Sequence, residues 1–305
     1  MSKRVLVVGG TGLLGGHAAL HLQALGHEVT LAARHPAPPG SALAALPFLA
    51  GDYVAGDFPA ERLVGFDWLL FAAGNDPRHI PPGADAGKHL MAANRDALPA
   101  FFRAARAAGM ARAVMIGSYY PQASPKLVAG NVYIESRQLA CDGVRAEATP
   151  DFGVCTLNAP FMVGCVPGLP SAIFEPYTAY ARGLIPAIPP FGPAGGTNFM
   201  SCQSLSQAIV GAFERGTSGT AYLVGDENLS FADYFGLFFA AAGNPAPVPS
   251  LDRDHPLLPD IAIPQGRGNF IAYEPDAGEV ALLGYRRHDV ARAVAEVVQQ
   301  FGGAA

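Results

Sequence analysis

At 305 residues, with half of them hydrophobic, 15% charged and a formal net charge of −5, the chain can bury a substantial core as one large α/β unit or two ordinary domains. It has no electrostatic footprint for a nucleic acid and no run near the roughly 18 uninterrupted apolar residues of a membrane span. Cys141, Cys155, Cys165 and Cys202 show neither CxxC pairing nor zinc-type spacing, so they read as small core residues of a reducing compartment, with no metal site and no disulfide framework.

Lys3 and Arg4 precede an apolar run that the glycines of 9–16 soon break. It is therefore no signal peptide, and a cytoplasmic protein is expected. Short β-rich runs then alternate with longer helical ones: RVLVVGG at 4–10, a helix near 13–25, EVTLAAR at 28–34, a β-like turn DYVAGD at 52–57, DWLLFAAG at 67–74, a helix over 89–108 and RAVMIGS at 112–118. The strands are continuous apolar runs, the pattern of strands buried on both faces of a parallel sheet. Strand and helix in turn predict an α/β fold with a doubly wound parallel Rossmann sheet. After residue 160, Pro167, Pro170, Pro176, Pro186, Pro189, Pro190 and Pro193 interrupt regular structure and predict a smaller, loop-rich cap. AYLVG at 221–225 reads as a late strand, 230–242 as a helix capped by Ser230, and 288–301 as a final helix. The expected division is a dinucleotide-binding domain over 1–160, joined by about 197–228, with 161–196 and 229–305 as substrate-binding cap and C-terminal helix.

VLVVGGTGLLGG at 5–16 places Gly9, Gly12 and Gly15 directly after the first strand and before the first helix. Glycine permits the tight turn and lets backbone N–H groups approach a pyrophosphate at a helix N-terminus, where the dipole favours an anion. A lone glycine triplet is weak evidence, but this strand-to-helix setting is the confirming one. The bland reading is a glycine-rich turn without a ligand. An acid at the end of the second strand would bind the adenosine ribose 2′-OH, whereas an arginine accepts a 2′-phosphate. The sequence there is AARH, so Arg34 points to NADP, with NAD as the second choice.

These segments resemble the extended short-chain dehydrogenase/reductase superfamily, in particular its NAD-dependent epimerase/dehydratase branch, over nearly the whole chain. GGTGLLGG looks like that branch's nucleotide loop, with Gly9, Thr11, Gly12, Leu13, Leu14 and Gly15 as implied cofactor contacts. Asp57, in the GD pair 56–57, fits the family aspartate that contacts adenine. Ala72, Ala73 and Gly74 in LFAAGN resemble the cofactor-lining turn after the fourth strand, and Asn94 the asparagine of the next helix. TNFMSCQSLSQAI at 197–209 and LGYRRHDVARAVAEVV at 283–298 are similar to later family segments. The resemblance implies a catalytic serine, Ser118, and a YxxxK pair, of which Tyr133 is present while Arg137 replaces the lysine.

The lysine would bond the nicotinamide ribose and lower the pKa of the tyrosine from near 10 in a model peptide. Arginine keeps the charge and adds donors, but it cannot relay a proton. On one helix, Tyr133 and Arg137 lie on the same face. Halohydrin dehalogenases, which carry a Ser-Tyr-Arg set, lack an intact nucleotide loop; here the loop is intact, so cofactor and hydride chemistry are expected. The bland alternatives are a core-packing Tyr133 and a strand-end Ser118 bonded to backbone; Tyr119 and Tyr120 rank below Tyr133 for a phenolic role.

A sugar-nucleotide diphosphate needs cations. Between Leu139 and Glu214 there are only Arg145 and Arg182, and Thr197 stands where that branch commonly has an arginine. The cap instead offers Phe161, Met162, Val163, Leu169, Ile173, Phe174, Tyr177, Tyr180, Leu184, Ile185, Ile188 and Phe191, a lining suited to an apolar ketone, aldehyde or alcohol. The leading expectation is thus an NADP(H)-dependent oxidoreductase of carbonyl reductase type acting on a small apolar substrate. Tyr133 is its general acid/base, Ser118 polarises the carbonyl, and Arg137 binds ribose and tunes Tyr133. The alternatives are a catalytically impaired nucleotide-binding sensor and, third, a sugar epimerase or dehydratase with bound NAD. No nucleic acid, membrane or metal partner is expected. The resemblance suggests a homodimer.

Overall fold

The computed structural model describes residues 1–303. In chain order it runs β1 (Arg4–Val8), α1 (Leu13–Ala24), β2 (Glu28–Ala33), β3 (Phe48–Ala50), α2 (Ala60–Leu63), β4 (Trp68–Phe71), α3 (Ala86–Leu90), α4 (Leu98–Ala107), β5 (Arg112–Ser118), α5 (Tyr120–Ala123), α6 (Val132–Arg145) and β6 (Gly153–Ala159). There follow β7 (Phe161–Val163), α7 (Phe174–Ala181), β8 (Gly192–Pro193), β9 (Gly196–Ser201), α8 (Cys202–Arg215), β10 (Ala221–Leu223), β11 (Glu227–Ser230), α9 (Phe231–Ala241), β12 (Ser250–Leu251), α10 (Ala277–Leu283) and α11 (Val290–Gly302).

Among the described residues, seven strands form one parallel sheet in the order β10-β6-β5-β4-β1-β2-β3. β1 lies inside it, between β4 and β2, with side chains buried on both faces. Val5 and Val7 join a core with Leu22 and Leu205, and Leu6 and Val8 join another with Leu98 and Phe102. This alternation is why the strand reads as an unbroken apolar run, and each such buried side chain contributes about 1.5–3 kcal/mol. The chain runs outward from β1 to β2 and β3, then returns to place β4 on the other side of β1. Ligands of open α/β sheets bind at such a reversal, beyond the C-terminal strand ends.

A smaller sheet, β11-β9-β7, starts the cap. β9 and β7 are parallel, β11 antiparallel. Its core gathers Phe174, Tyr177, Tyr180, Phe199, Tyr234, Phe235 and Phe238 with Val294 and Val297 of α11. Ser230 caps α9 by accepting the Asp233 N–H at 3.0 Å. β10 and α8 pack with the large sheet, whereas β9 belongs to the small one. Leu283 of α10 joins the large core. The long helix expected over 89–108 is α3 and α4 joined by a π-helical turn over 91–97. No helix among the described residues is long and apolar enough to cross a membrane.

Candidate active site

The glycine loop lies where β1 enters α1, at the sheet's reversal. Gly9 has φ +78°, and a Cβ there would come 2.8 Å from the backbone of Ala72 and Ala73. A Cβ on Gly15 would lie 2.4 Å from the Gly9 carbonyl oxygen. Gly12 is different: it is exposed, and the nearest atom to its absent Cβ, Gly9 O, is 3.5 Å away. It occupies the N-cap of α1 without any side-chain cap, so first-turn N–H groups lack an intrahelical acceptor and face outward with the positive end of the dipole. Two glycines are thus demanded by packing, and the third leaves room for an anion. This cradle fits a dinucleotide pyrophosphate. Thr11, Gly12 and Leu13 border a cleft of about 160 Å³, closed opposite by Gly164, Cys165, Val166, Leu169, Pro170, Ser171 and Phe301. The side chains of Leu13 and Leu14 pack on the core, so their backbones, not their side chains, are available to a ligand.

Arg34 follows β2 directly, is exposed, and has no hydrogen-bond or ion-pair partner among the described residues. Asp57 is exposed within a loop closed on itself: its carboxylate accepts the Asp52 N–H at 2.8 Å, and its own N–H donates to Asp52 O at 3.1 Å. The GD pair that directly follows β3 is Gly51-Asp52, whose Gly51 N–H donates to Ala33 O at 3.0 Å, next to Arg34. The three-residue β3 gives too weak a pattern to mark that pair in the sequence. Beside it, Tyr53 buries a hydroxyl without a partner, and burial pushes its phenol up to about 12 against the pull of nearby Arg137.

Ala72, Ala73 and Gly74 form the half-buried loop after β4, with the Ala72 N–H donating to Val8 O at 2.8 Å. Asn94 is fully buried within the π-helical turn and joins this loop to α6. Its Nδ2 donates to Asn75 O and to Ser136 Oγ, each at 3.0 Å, and its Oδ1 accepts the Asn75 N–H at 3.3 Å. The extra residue of a π turn aims a side chain that a regular helix would carry elsewhere. Here it sets Asn94 between two site-bearing elements.

Ser118 ends β5, and Tyr133 stands in the first turn of α6, whose N-cap Asn131 accepts the Ile134 N–H at 3.2 Å. Neither hydroxyl has a hydrogen-bond partner among the described residues. Arg137, one turn beyond Tyr133, is 6% exposed. Its Nη2 donates to Ile116 O at 2.9 Å, two residues before Ser118, while its Nε has no partner. The guanidinium lies against Gly74 so closely that a Cβ there would sit 2.1 Å from Nη1. Arg137 thereby clamps α6 to β5 and places Tyr133 near the end of that strand.

Tyr119 and Tyr120 are buried and engaged. The Tyr119 hydroxyl meets Thr197 Oγ1 at 2.7 Å, and Tyr120 donates to Gln265 Oε1 at 3.3 Å. Burial pushes the Tyr119 phenol up to about 12 and that of Tyr120 well above its ordinary value, which suits neither for proton transfer near neutrality. The expected apolar lining of the cap is in large part the cap's own core: Val163, Phe174, Tyr177 and Tyr180 are buried in it, Phe161, Ile173, Ile185 and Ile188 pack against it, and Leu184 is exposed. Composition alone cannot tell lining from core. Arg145 is bound to Asp142 and to the Gly219 carbonyl, and Arg182 to the Gly302 carbonyl. No group of three or more potential metal ligands occurs among the described residues.

Residues 5–148 match the model of the NAD dependent epimerase/dehydratase family. No curated protein matches the sequence. Among solved structures, gox2253 superposes with a TM-score of 0.75 at 20% identity, covering 99% of this chain and 98% of that one. The Bordetella bronchiseptica enzyme WbmG, in complex with NAD, gives 0.74 at 15% identity over 99% and 94% of the two chains. UDP-glucose-4-epimerase of Stenotrophomonas maltophila, with bound NAD and formylated UDP-arabinopyranose, gives 0.72 at 20% identity over 98% of each. At these identities the likeness is one of fold.

Proposed function

We propose that this chain, whose residues 5–148 belong to the NAD dependent epimerase/dehydratase family, is a nicotinamide-dinucleotide-dependent enzyme of epimerase or dehydratase type acting at a hydroxyl-bearing carbon. The observation that carries the proposal is the pair of unengaged hydroxyls, Ser118 and Tyr133, on elements that Arg137 clamps together, at the strand ends that also bear the glycine cradle. When bound, the dinucleotide supplies the carbon that accepts and returns hydride. Gly9, Gly12 and Gly15 with the first turn of α1 hold its pyrophosphate. Ala72, Ala73, Gly74 and the Asn94-supported loop flank it. Tyr133 takes the proton of the substrate hydroxyl as hydride leaves the adjacent carbon, and Ser118 holds the oxygen by a hydrogen bond. Arg137, one helical turn from Tyr133, holds α6 against β5 and so sets where Tyr133 stands.

Arg34 supports NADP, since a free guanidinium at the end of the second strand pairs with a 2′-phosphate. WbmG and the Stenotrophomonas epimerase were solved with NAD, which supports NAD; titrating the purified chain with NADP⁺ and with NAD⁺ decides between the two. The reductase reading drew on an apolar cap lining that the cap's own core largely absorbs, whereas the epimerase or dehydratase reading has the family match behind it. The test incubates the purified chain with NADP⁺ or NAD⁺ and a panel of secondary alcohols and sugars, and reads both transient cofactor reduction and epimerised or dehydrated product. Turnover that Tyr133→Phe abolishes is expected; tight cofactor binding with neither transient reduction nor product overturns the enzyme reading in favour of a nucleotide sensor.

A further inference from the structure

The segment over 164–171, between β7 and α7, reaches from the cap to the glycine cradle. Residues 164–166 and 169–171 face Thr11, Gly12 and Leu13 across the cleft of about 160 Å³, with Phe301 of α11 beside them. A cleft of that volume is well below the roughly 300–1,000 Å³ of a whole small-molecule site. It has room for one compact group of a larger ligand, and the group that a helix N-terminus favours there is an anion such as a pyrophosphate.

The segment is tied down on both sides of the cleft. Gln300, in the last turn of α11, donates through Nε2 to Val166 O at 2.9 Å and to Leu169 O at 3.3 Å. The Ala42 N–H, in the connection that leads from Arg34 to β3, donates to Pro167 O at 2.9 Å. Gly168, at φ +73°, packs so closely on the same connection that a Cβ would lie 2.4 Å from Gly40 O. Ser171 carries a hydroxyl on this wall. Its Oγ accepts the Phe174 N–H at 3.0 Å at the start of α7, and its own N–H donates to Glu175 Oε1 at 2.7 Å. The hydroxyl proton has no acceptor among the described residues. Burial pushes the neighbouring Cys165 thiol up to about 11, so it stays neutral and does not repel an anion.

We infer that segment 164–171 is the outer half of the dinucleotide site. It covers the pyrophosphate held by the first turn of α1, Ser171 donates its hydroxyl to a phosphate oxygen, and Gln300 is the positioning residue that keeps the segment in place. The inference rests on the reading of the cradle above and extends it to the cap. Because the segment must loosen before the cofactor can leave, the cap sets the rate of release.

The full chain is loaded with NADPH or with NADH, whose fluorescence reports binding, and release is followed by stopped flow after an excess of NADP⁺ or NAD⁺ is added. Gln300→Ala removes both bonds to the segment and should speed release of either cofactor about fivefold or more, the scale of one neutral hydrogen bond. Ser171→Asp keeps an acceptor for the Phe174 N–H but sets a negative charge opposite the cradle, and should weaken both cofactors about tenfold or more. Ser171→Thr keeps the hydroxyl and should bind as the unaltered chain does. The pyrophosphate is common to the two cofactors, so both should respond alike. Melting temperatures of the cofactor-free variants report folding; should one variant fail to fold, the other decides. Unchanged release and affinity in the folded variants, or tighter binding by Gln300→Ala, overturn the inference while sparing the cradle. An unaltered chain that binds neither cofactor overturns the cradle reading, and the inference with it.

Discussion

Gly74→Ala tests the placement of Arg137 most sharply. Gly74 does not have a positive φ, so alanine is conformationally permitted there and the whole effect is steric. Its Cβ would lie 2.1 Å from Nη1, 2.8 Å from Cζ and 2.9 Å from Nη2 of Arg137. The guanidinium cannot stay, and its bond to Ile116 O is broken or stretched. Losing a hydrogen bond to a charged group costs about 1.5–3 kcal/mol, and overpacking a tight site about 1–3 kcal/mol. The two overlap because displacement relieves the clash, which gives a net loss of about 2–4 kcal/mol. Urea denaturation measures it directly. Arg137→Lys, which removes the planar fork, should absorb part of the effect, so the double variant should be less unstable than the sum of the singles by about 1–2 kcal/mol. A Gly74→Ala protein as stable as the unaltered chain, or strictly additive losses, would show that Arg137 does not lie against this loop.

Arg34→Glu should weaken NADP⁺ binding by about tenfold or more while leaving NAD⁺ nearly unchanged, because a charge-assisted contact to the 2′-phosphate becomes a repulsion; equal effects on both cofactors would remove Arg34 from that role. Gly15→Ala, with its Cβ 2.4 Å from Gly9 O, should lower the melting temperature and cofactor affinity together, whereas Gly12→Ala at the open position should reduce affinity with little loss of stability. Burial lowers His17 and His255 to about 4, so below an unfolded value near 6.5 the unfolded chain takes up protons that the folded one refuses. Stability should therefore fall as pH drops from about 6.5 towards 4, by at most about 1.4 kcal/mol per pH unit for each histidine. His255→Asn should flatten the melting temperature's dependence on pH; an unchanged slope would count against a neutral buried His255.

The strands that line the site were legible because β1, β4 and β5 are buried on both faces and show it as unbroken apolar runs. β3 and β6 were not. β3 is three residues long, and β6 carries Thr156 and Asn158 through the core, where Asn158 donates to Gln122 Oε1 at 2.9 Å and Cys141 meets Thr156 at 3.1 Å. Polar partners of that kind come from distant segments and leave no local period. The π-helical turn was equally hidden, since one inserted residue inside a helix does not alter its composition. YxxxR was plain in the sequence. The course of the guanidinium was not, because it depends on the missing side chain of Gly74 and on the carbonyl of Ile116. The cap's aromatics misled for a related reason: a residue type says that a side chain will be buried, and only packing says against what.

The central claim is that Tyr133 acts on a substrate held beside a dinucleotide on the glycine cradle. It is tested most directly by measuring cofactor binding and substrate turnover, as transient cofactor reduction and as product, side by side in the unaltered chain and in Tyr133→Phe, with the same substrate panel. Equal binding, with turnover confined to the unaltered chain, is the predicted result. Equal turnover by both proteins would contradict it, and the proton would then have to be taken by a group other than Tyr133.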